Sequence, residues 1–257
     1  MNTYPSLSFC ITCKNRLHQI RQTLRKNLDD NSLHADRIEF ILVDFDSSDG
    51  LREWVIENFL PELTSYYLKY YYTKELPLWH ASVAKNTAHW CASKDILVNL
   101  DCDNFTGING GDYVMKTVAQ HGDQCVIHQF SGIYGDGSFG RIAVQRKYFD
   151  WIGGYDESFD PMGHQDYDLI GRLVKIGLKY ISRPDNRYNI AIPNSKEEGI
   201  AHTGSSKNYF EMLRHNVRIS YRNLQENKLV ANNGKFGIRK NLFDHNGKEI
   251  ESQNKKY

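Results

Sequence analysis

The sequence predicts an α/β fold in which a mostly parallel central sheet is flanked by helices and followed by a C-terminal extension of a helix and a hairpin. The first reason is that short apolar runs alternate, over the first hundred residues, with stretches whose apolar residues recur at helical spacing. This order indicates a parallel sheet, because each helical crossover returns the chain to the same edge. The second reason is that three apolar runs end in polar clusters, at 12–16, 44–49 and 101–104. Ligands bind beyond the carboxyl ends of such strands, so the clusters are expected to converge.

The apolar runs of the first hundred residues predict strands, and the amphipathic stretches between them predict helices. The strands are expected at 7–12, 38–43, 66–72 and 96–100. The helices are expected to begin near Leu17 and to span about 51–59 and 80–93.

The rest of the chain is predicted to complete the sheet and to add the extension. Further helices are expected at 112–121, 147–152, 166–176 and 208–228, and further strands at 124–130 and 141–145, with a glycine-dense loop at 132–140. Residues 184–204 are polar and irregular, which is typical of a functional loop. Asn246 and Gly247 indicate the turn of the hairpin. We therefore predict one domain over 1–206 and an extension over 207–257 that packs on it.

Composition excludes few functions by itself. The 32 basic and 31 acidic residues give a net charge of +1, which provides no reason to expect a nucleic-acid partner. No basic leader and no apolar stretch of about 20 residues are present, so a cytoplasmic protein without a transmembrane segment is expected, with peripheral membrane contact left open. The five cysteines lack regular framework spacing, which indicates a reducing compartment.

The stretch DCDN at 101–104 carries the clearest chemical signal. Asp101 and Asp103 follow an apolar run and point to the same side of an extended backbone, where their charges repel unless a cation or donor lies between them. Hard divalent cations prefer oxygen ligands and often keep phosphate oxygens in their shell. The pair therefore fits Mg²⁺ or Mn²⁺ bound to a diphosphate, although aspartates after a strand also serve as turn and cap residues.

Several motifs in one order give the chain a resemblance to a known family. They are ITCKNR, ILVDFDSSDG, SVAKNTA, NLDCDN and GGYDESFDPMGHQDYDL, spread over residues 6–204. Together they resemble a family-2 type glycosyltransferase with the GT-A nucleotide-diphospho-sugar transferase fold. The last motif is most similar to galactosyltransferase-like and chondroitin-polymerase-like members.

The resemblance implies a metal-dependent, inverting transfer of a hexose or hexosamine. The donor would be a nucleotide sugar, and the similarity to galactosyltransferase-like members implies a UDP-sugar. The acceptor would be a hydroxyl of a glycan. Asp166 matches the general base, which takes the proton of the attacking hydroxyl. Asp101, Asp103 and His202 match the ligands of Mn²⁺ or Mg²⁺. Asp168 is an alternative base, although its place in a helix favours a capping or pairing role.

The resemblance also implies a set of residues that bind the nucleotide sugar. They are Thr12, Arg16, Asp44, Asp46, Lys85, Asn86, Asp101, Gly154 and Gln165.

The chain departs from the family pattern at four positions in these motifs. Lys85 replaces an arginine, Asp46 and His164 stand where glycine is usual, and Gln165 replaces a glutamate. The last change leaves specificity open. Trp79 and Trp151 are candidates for stacking on a sugar or base, with core packing as the alternative.

Two other functions remain open on the sequence. A nucleotidyltransferase also uses aspartates and Mg²⁺ on an α/β sheet, but it would need a glycine-rich phosphate loop after the first strand, and CKNR has none. A nucleotide-sugar or carbohydrate-binding module without turnover is the third possibility, because Gln165 departs from the catalytic pattern.

Overall fold

A computed structural model describes residues 5–193 and 195–250. Its strands are β1 Leu7–Cys13, β2 Ile38–Asp44, β3 Leu68–Thr73, β4 Ile96–Asn99, β5 Cys125–His128, β6 Ile142–Gln145, β7 Lys179–Ser182 and β8 Leu242–Asp244. Its α-helices are α1 Leu17–Asn31, α2 Leu51–Asn58, α3 Leu60–Thr64, α4 Ala81–Cys91, α5 Gly110–His121, α6 Arg146–Trp151, α7 Gln165–Lys175, α8 Lys196–Ala201 and α9 Tyr209–Gln225.

Over the described residues, the strands form one eight-stranded sheet in the order β7-β5-β6-β4-β1-β2-β3-β8. Strands β4, β1, β2 and β3 pair in parallel, as the alternation of strands and helices predicts. Strand β6 runs antiparallel to both its neighbours, and β8 runs antiparallel to β3. The predicted mostly parallel sheet flanked by helices is confirmed.

The two faces of the sheet carry separate apolar cores. Alternate residues of β1 point to opposite faces, so Phe9 and Ile11 belong to one core and Cys10 to the other. The first core includes Leu24 of α1, and the second includes Ala84 of α4. Helix α4 is thereby fixed beneath the strand ends, where its Lys85 can reach the site.

Three local features differ from the sequence prediction. The helix expected at 51–59 is present as α2, and an unpredicted short helix, α3, follows it, because Phe59 leaves helical geometry and a proline lies in the first turn of α3. Strand β7 was not predicted, since three of its four residues are exposed and give no apolar pattern. The hairpin turn at Asn246 and Gly247 is present, but β8 also pairs with β3 and so extends the main sheet.

The extension is joined to the rest of the protein through α9. The buried side chain of Asn216 donates hydrogen bonds to the main-chain oxygens of Asp160, Met162 and Gly163. The boundary at residue 206 stays a prediction, as does the part of the extension beyond residue 250, which lies outside the described residues. Within the described ranges, no helix combines the length and apolarity needed to cross a bilayer.

Candidate active site

The ends of β1, β2 and β4 meet at one edge of the sheet, as the sequence predicts. The loops that follow β1 and β2 are tied together, because Asn15 accepts a hydrogen bond from the Ser48 amide at 2.7 Å and donates its own amide to Ser47 at 2.9 Å. The loop after β4 joins them through Thr23 of α1, whose hydroxyl donates to the Cys102 carbonyl at 2.7 Å. The three polar clusters therefore form one surface.

The two aspartates of DCDN differ in their surroundings. Asp101 is about one-third exposed as a side chain, at 33%, whereas Asp103 is 4% exposed. Burial first, and then the charge of Asp101, raise the pKa of Asp103 to about 6. Asn104 donates to Asp103 at 2.6 Å and partly offsets this cost. A buried carboxylate beside a like charge favours a cation nearby, which agrees with the chemistry expected of the pair.

A lysine links this acidic pair to the predicted general base. The Lys85 ammonium lies 2.8 Å from Asp166 and 3.8 Å from Asp101, and its side chain is 6% exposed. Burial disfavours the lysine cation, but the charges of Asp101 and Asp166 outweigh it and raise the pKa of Lys85. Gln165 donates to the other oxygen of Asp166 at 3.3 Å. Asp101 and Asp166 thus share one buried cation.

Gly140 closes the site from the side of the β5–β6 loop. A Cβ at this position would lie 2.8 Å from the Asp101 carboxylate and 3.1 Å from the Lys85 ammonium. A side chain here would push the charged ends of Asp101 and Lys85 out of position, so glycine lets the loop approach the charges without displacing them.

Two departures from the family motifs occupy left-handed backbone. Asp46 has φ 59° and His164 has φ 71°, in the region that glycine adopts without cost. The chain therefore keeps the backbone that glycine would give and adds a side chain at each position. Asp46 directs its carboxylate outward to within 4.0 Å of Lys74, and the His164 ring stacks on Tyr167 at 5.5 Å.

Asn86 and Gly154 lie behind the charged residues and contact each other. The Asn86 amide donates to the Tyr155 carbonyl and to Glu157, and its oxygen accepts from the Tyr155 amide, each at 2.8 Å. A Cβ on Gly154 would lie 2.4 Å from that oxygen. These contacts favour a role in shaping the 153–157 turn, and the expected contact with the donor stays a prediction for both residues.

The residues expected to flank the nucleotide are largely buried. Asp44 is 2% exposed, and its oxygens accept from the Ser47 amide at 2.9 Å and the Tyr70 hydroxyl at 2.6 Å. Burial raises the pKa of Asp44. Thr12 is buried within β1, whereas Arg16 is half-buried at the start of α1 and lies close enough to Asp103 to stabilise its charged form. Of these, Arg16 is best placed to meet a phosphate.

The predicted metal ligands fit an ion only in part. Among the described side chains, no three His, Cys, Asp or Glu residues converge on a common point, so the set of Asp101, Asp103 and His202 is not assembled. The His202 backbone is instead engaged by the Trp79 amide at 2.7 Å. Two carboxylates suit a hard cation that takes its other oxygens from phosphate and water, so the aspartates alone fit Mn²⁺ or Mg²⁺.

Arg141 is a residue of the site that the sequence did not indicate. It is fully buried, and its guanidinium donates to the Asn104 side chain at 2.6 Å and to the Ile190 carbonyl at 3.1 Å. Burial lowers the pKa of Arg141 to about 10, while the charges of Asp101 and Asp103 oppose that change. It fastens the Asp103–Asn104 segment to the loop at 188–190. Only an arginine at the start of a predicted apolar strand hinted at this role.

Asp168, the alternative base, is committed to a buried ion pair. It is 0% exposed and lies 2.7 Å from Arg172, which also donates to the carbonyls of Ile152 at 3.0 Å and Gly154 at 2.7 Å. The pair holds α7 against the 152–154 turn and so positions Asp166. This geometry agrees with the expected pairing role.

Replacing Asp168 with Asn is expected to lower the free energy of unfolding by about 3–5 kcal/mol, because it leaves the buried Arg172 charge without a counter-ion. Urea unfolding followed by circular dichroism measures the change. The matched control is Asp29→Asn, which breaks an exposed pair of the same spacing with Arg25 and should cost no more than about 0.5 kcal/mol. Equal stabilities of the two variants would contradict the structural role of Asp168.

Comparison with known proteins finds one family and a set of similar structures. The model of the family described as glycosyl transferase family 2 matches residues 8–246. A search of curated proteins finds no match.

Similar solved structures share the fold. The mannosyltransferase PcManGT from Pyrobaculum calidifontis, in complex with GDP-Man and Mn²⁺, has a TM-score of 0.61 at 16% identity, covering 87% of this chain and 70% of its own. Residues 1–349 of S. aureus TarS, in complex with UDP-GlcNAc, have a TM-score of 0.66 at 14% identity, covering 85% of this chain and 67% of the other. The predicted GT-A fold is confirmed.

Proposed function

The chain belongs to glycosyl transferase family 2, and from that membership we propose a metal-dependent, inverting glycosyltransferase that moves a hexose or hexosamine from a UDP-sugar to a hydroxyl of a glycan. The observation that carries the proposal is the shared lysine. Lys85 lies between Asp101 of the acidic pair and Asp166, the base candidate. The carboxylate proposed to act at the donor and the carboxylate proposed to remove the proton therefore contact the same buried lysine.

The reaction divides between the two carboxylate positions. Asp166 takes the proton of the acceptor hydroxyl while the oxygen of that hydroxyl forms a bond to the anomeric carbon. The bond from that carbon to the diphosphate breaks on the opposite face, and nucleoside diphosphate leaves with the electron pair. Lys85 and Gln165 hold one oxygen each of the Asp166 carboxylate and fix its direction.

Asp101 and Asp103 are the residues proposed to hold the divalent cation. When bound, the cation offsets the negative charge that grows on the leaving diphosphate. Support comes from the buried Asp103 beside the like charge of Asp101, and from PcManGT, whose complex contains Mn²⁺ with GDP-Man. Arg16 supplies a further positive charge close to Asp103.

The proposed donor is a UDP-sugar. The TarS structure contains UDP-GlcNAc, which supports that choice, whereas the PcManGT structure contains GDP-Man, so both nucleotides belong in a test. The acceptor is proposed to be a growing glycan, which makes the reaction a step of polysaccharide synthesis.

Incubation with a panel of UDP-sugars and GDP-mannose, with Mn²⁺ and with EDTA, tests the proposal. Release of nucleoside diphosphate that depends on Mn²⁺ is the expected result. Release of pyrophosphate would identify a nucleotidyltransferase, and donor binding without release of either product would identify a binding module. The same panel run on Asp166→Asn shows whether the release comes from this site.

A further inference from the structure

Five aromatic rings form a continuous cluster beside Asp166, which we call the aromatic shelf. Its members are Phe130, Tyr134, Phe139, His164 and Tyr167. Phe139 lies at its centre, with ring centroids 4.4 Å from Tyr167, 4.9 Å from Phe130 and 5.8 Å from Tyr134. Two of the rings face solvent, because Tyr134 is 71% exposed and Tyr167 is 44% exposed.

The exposed rings are held in place by contacts within the protein. The hydroxyls of Tyr134 and Tyr167 lie 2.7 Å apart, which ties the tip of the β5–β6 loop to the first turn of α7. The loop is braced from within, since Asp136 accepts from the amide and hydroxyl of Ser138 at 2.8 and 2.7 Å. Behind the shelf, Phe139 packs edge-on against the buried ring of His128 at 4.8 Å. These hydrogen bonds and ring contacts hold the exposed rings in fixed positions.

The shelf adjoins the reacting groups at two points of the chain. Tyr167 directly follows Asp166, and Phe139 directly precedes Gly140, whose missing Cβ makes room for Asp101 and Lys85. The His164 ring of the shelf also lies close enough to Asp166 for the carboxylate charge to oppose the lowering of the pKa of His164 by burial. A sugar on the shelf would therefore be near the Asp166 carboxylate.

We propose that the aromatic shelf is an acceptor subsite, on which the terminal pyranose of a glycan stacks against Tyr134 and Tyr167 and presents one hydroxyl to Asp166. The proposal rests on the proposed function, because it assigns the second substrate of that reaction. An aromatic ring covers the C–H face of a pyranose, while tyrosine hydroxyls and the His164 ring exchange hydrogen bonds with its edge. Exposed aromatic groups beside polar ones are typical of such binding surfaces.

The position favours the acceptor over the donor. The diphosphate of the donor belongs at Asp101 and Asp103, and the base of an inverting reaction lies on the opposite face of the transferred sugar. Tyr167 is the next residue of α7 after that base, and we therefore assign the shelf to the substrate whose hydroxyl the base deprotonates. Trp79, one of the two tryptophans considered for stacking, packs edge-on against Phe45 at 5.9 Å instead.

The test compares Tyr134→Ala with Tyr134→Phe, because the second change keeps the ring and removes only the hydroxyl. The probes are methyl β-glycosides of glucose, galactose, N-acetylglucosamine and N-acetylgalactosamine. We expect Tyr134→Ala to raise the KM for the best of these acceptors about tenfold, while the donor KM and the rate of donor hydrolysis without acceptor stay within about twofold. The acceptor KM of Tyr134→Phe should remain within about threefold of the wild-type value.

A matched control is Tyr221→Ala, which removes a similarly exposed tyrosine of α9, at 63% against 71% for Tyr134. It should leave the acceptor KM, the donor KM and the rate of donor hydrolysis unchanged. Saturation-transfer NMR with the same glycosides measures sugar binding directly and needs no turnover. The shelf is overturned if no glycoside binds the wild type, or if Tyr134→Ala leaves sugar binding and acceptor KM unchanged. A parallel rise in the donor KM of Tyr134→Ala would also overturn the proposal, because it would identify the shelf as part of the donor site. Absence of nucleoside diphosphate release from every donor, with sugar binding still lost in Tyr134→Ala, would instead overturn the proposed function alone.

Discussion

Replacing Asp166 with Asn is expected to reduce turnover by roughly 10² to 10⁴-fold, the range associated with loss of a general base. The amide has the size of the carboxylate and can still accept from Lys85, but it cannot take the acceptor proton. Donor affinity should remain within about threefold, because Lys85 keeps Asp101 as a counter-ion at 3.8 Å. The kcat for transfer and the dissociation constant for UDP, by titration calorimetry in Mn²⁺, measure the two effects separately.

The control for this prediction is Asp36→Asn, at an aspartate that is 70% exposed at the opposite end of β2. It should leave both quantities unchanged. Normal turnover in Asp166→Asn would assign proton removal to another group. Asp168 could not replace it without breaking the buried pair with Arg172.

Replacing Asp103 with Ala is expected to abolish the dependence of donor binding on the divalent cation. In the wild type, UDP should bind at least about tenfold more tightly in Mn²⁺ than in EDTA, a difference of about 1.4 kcal/mol. Removing Asp103 leaves Asp101 as the single carboxylate of the pair, which is a poor site for a hard cation that needs several oxygen ligands. The dissociation constants of UDP and of GDP in the two buffers measure the effect.

One control variant and one stability measurement limit the interpretation of that result. Asp36→Ala should retain the full Mn²⁺ effect, and thermal unfolding should show whether loss of the buried Asp103 side chain disturbs the fold. If Asp103→Ala is folded and still binds UDP more tightly in Mn²⁺, the assignment of the cation to this pair is wrong.

Local pattern was enough to predict most of the sheet. The strands β1, β2 and β4 are buried on both faces and appear in the sequence as apolar runs, so their positions and their parallel order follow from the sequence. Strand β7 gave no such signal because three of its four residues are exposed. It lies at the edge of the sheet, where one partner is enough to hold it.

The cluster of charges depended on contacts that the sequence does not contain. Lys85 and Asp166 are 81 positions apart, and the motif that implied a nucleotide-sugar contact for the lysine gave no reason to pair it with the base. Arg141 likewise bonds to Asn104 and Ile190, which lie far from it in the sequence in opposite directions. Such contacts form when distant segments of the chain fold onto one another. A single sequence does not show which of these residues lie close together in space.

Residues with special backbone geometry were partly visible. Asp46 and His164 were noted as departures from glycine positions, and both prove to have positive φ. The Gly154–Asn86 contact was not foreseen, because a glycine that avoids a buried amide looks in sequence like any turn glycine.

Gly140 has a consequence for how this protein can change over generations. At the root of the β5–β6 loop a larger residue in place of Gly140 would displace the charged ends of Asp101 and Lys85, whereas Ile133 and Tyr134 near the tip are 67% and 71% exposed. Mutations at the tip therefore alter what the loop offers to incoming molecules and spare the carboxylates below. Substitutions in this one segment would let related proteins use a different acceptor while the reacting carboxylates stayed the same.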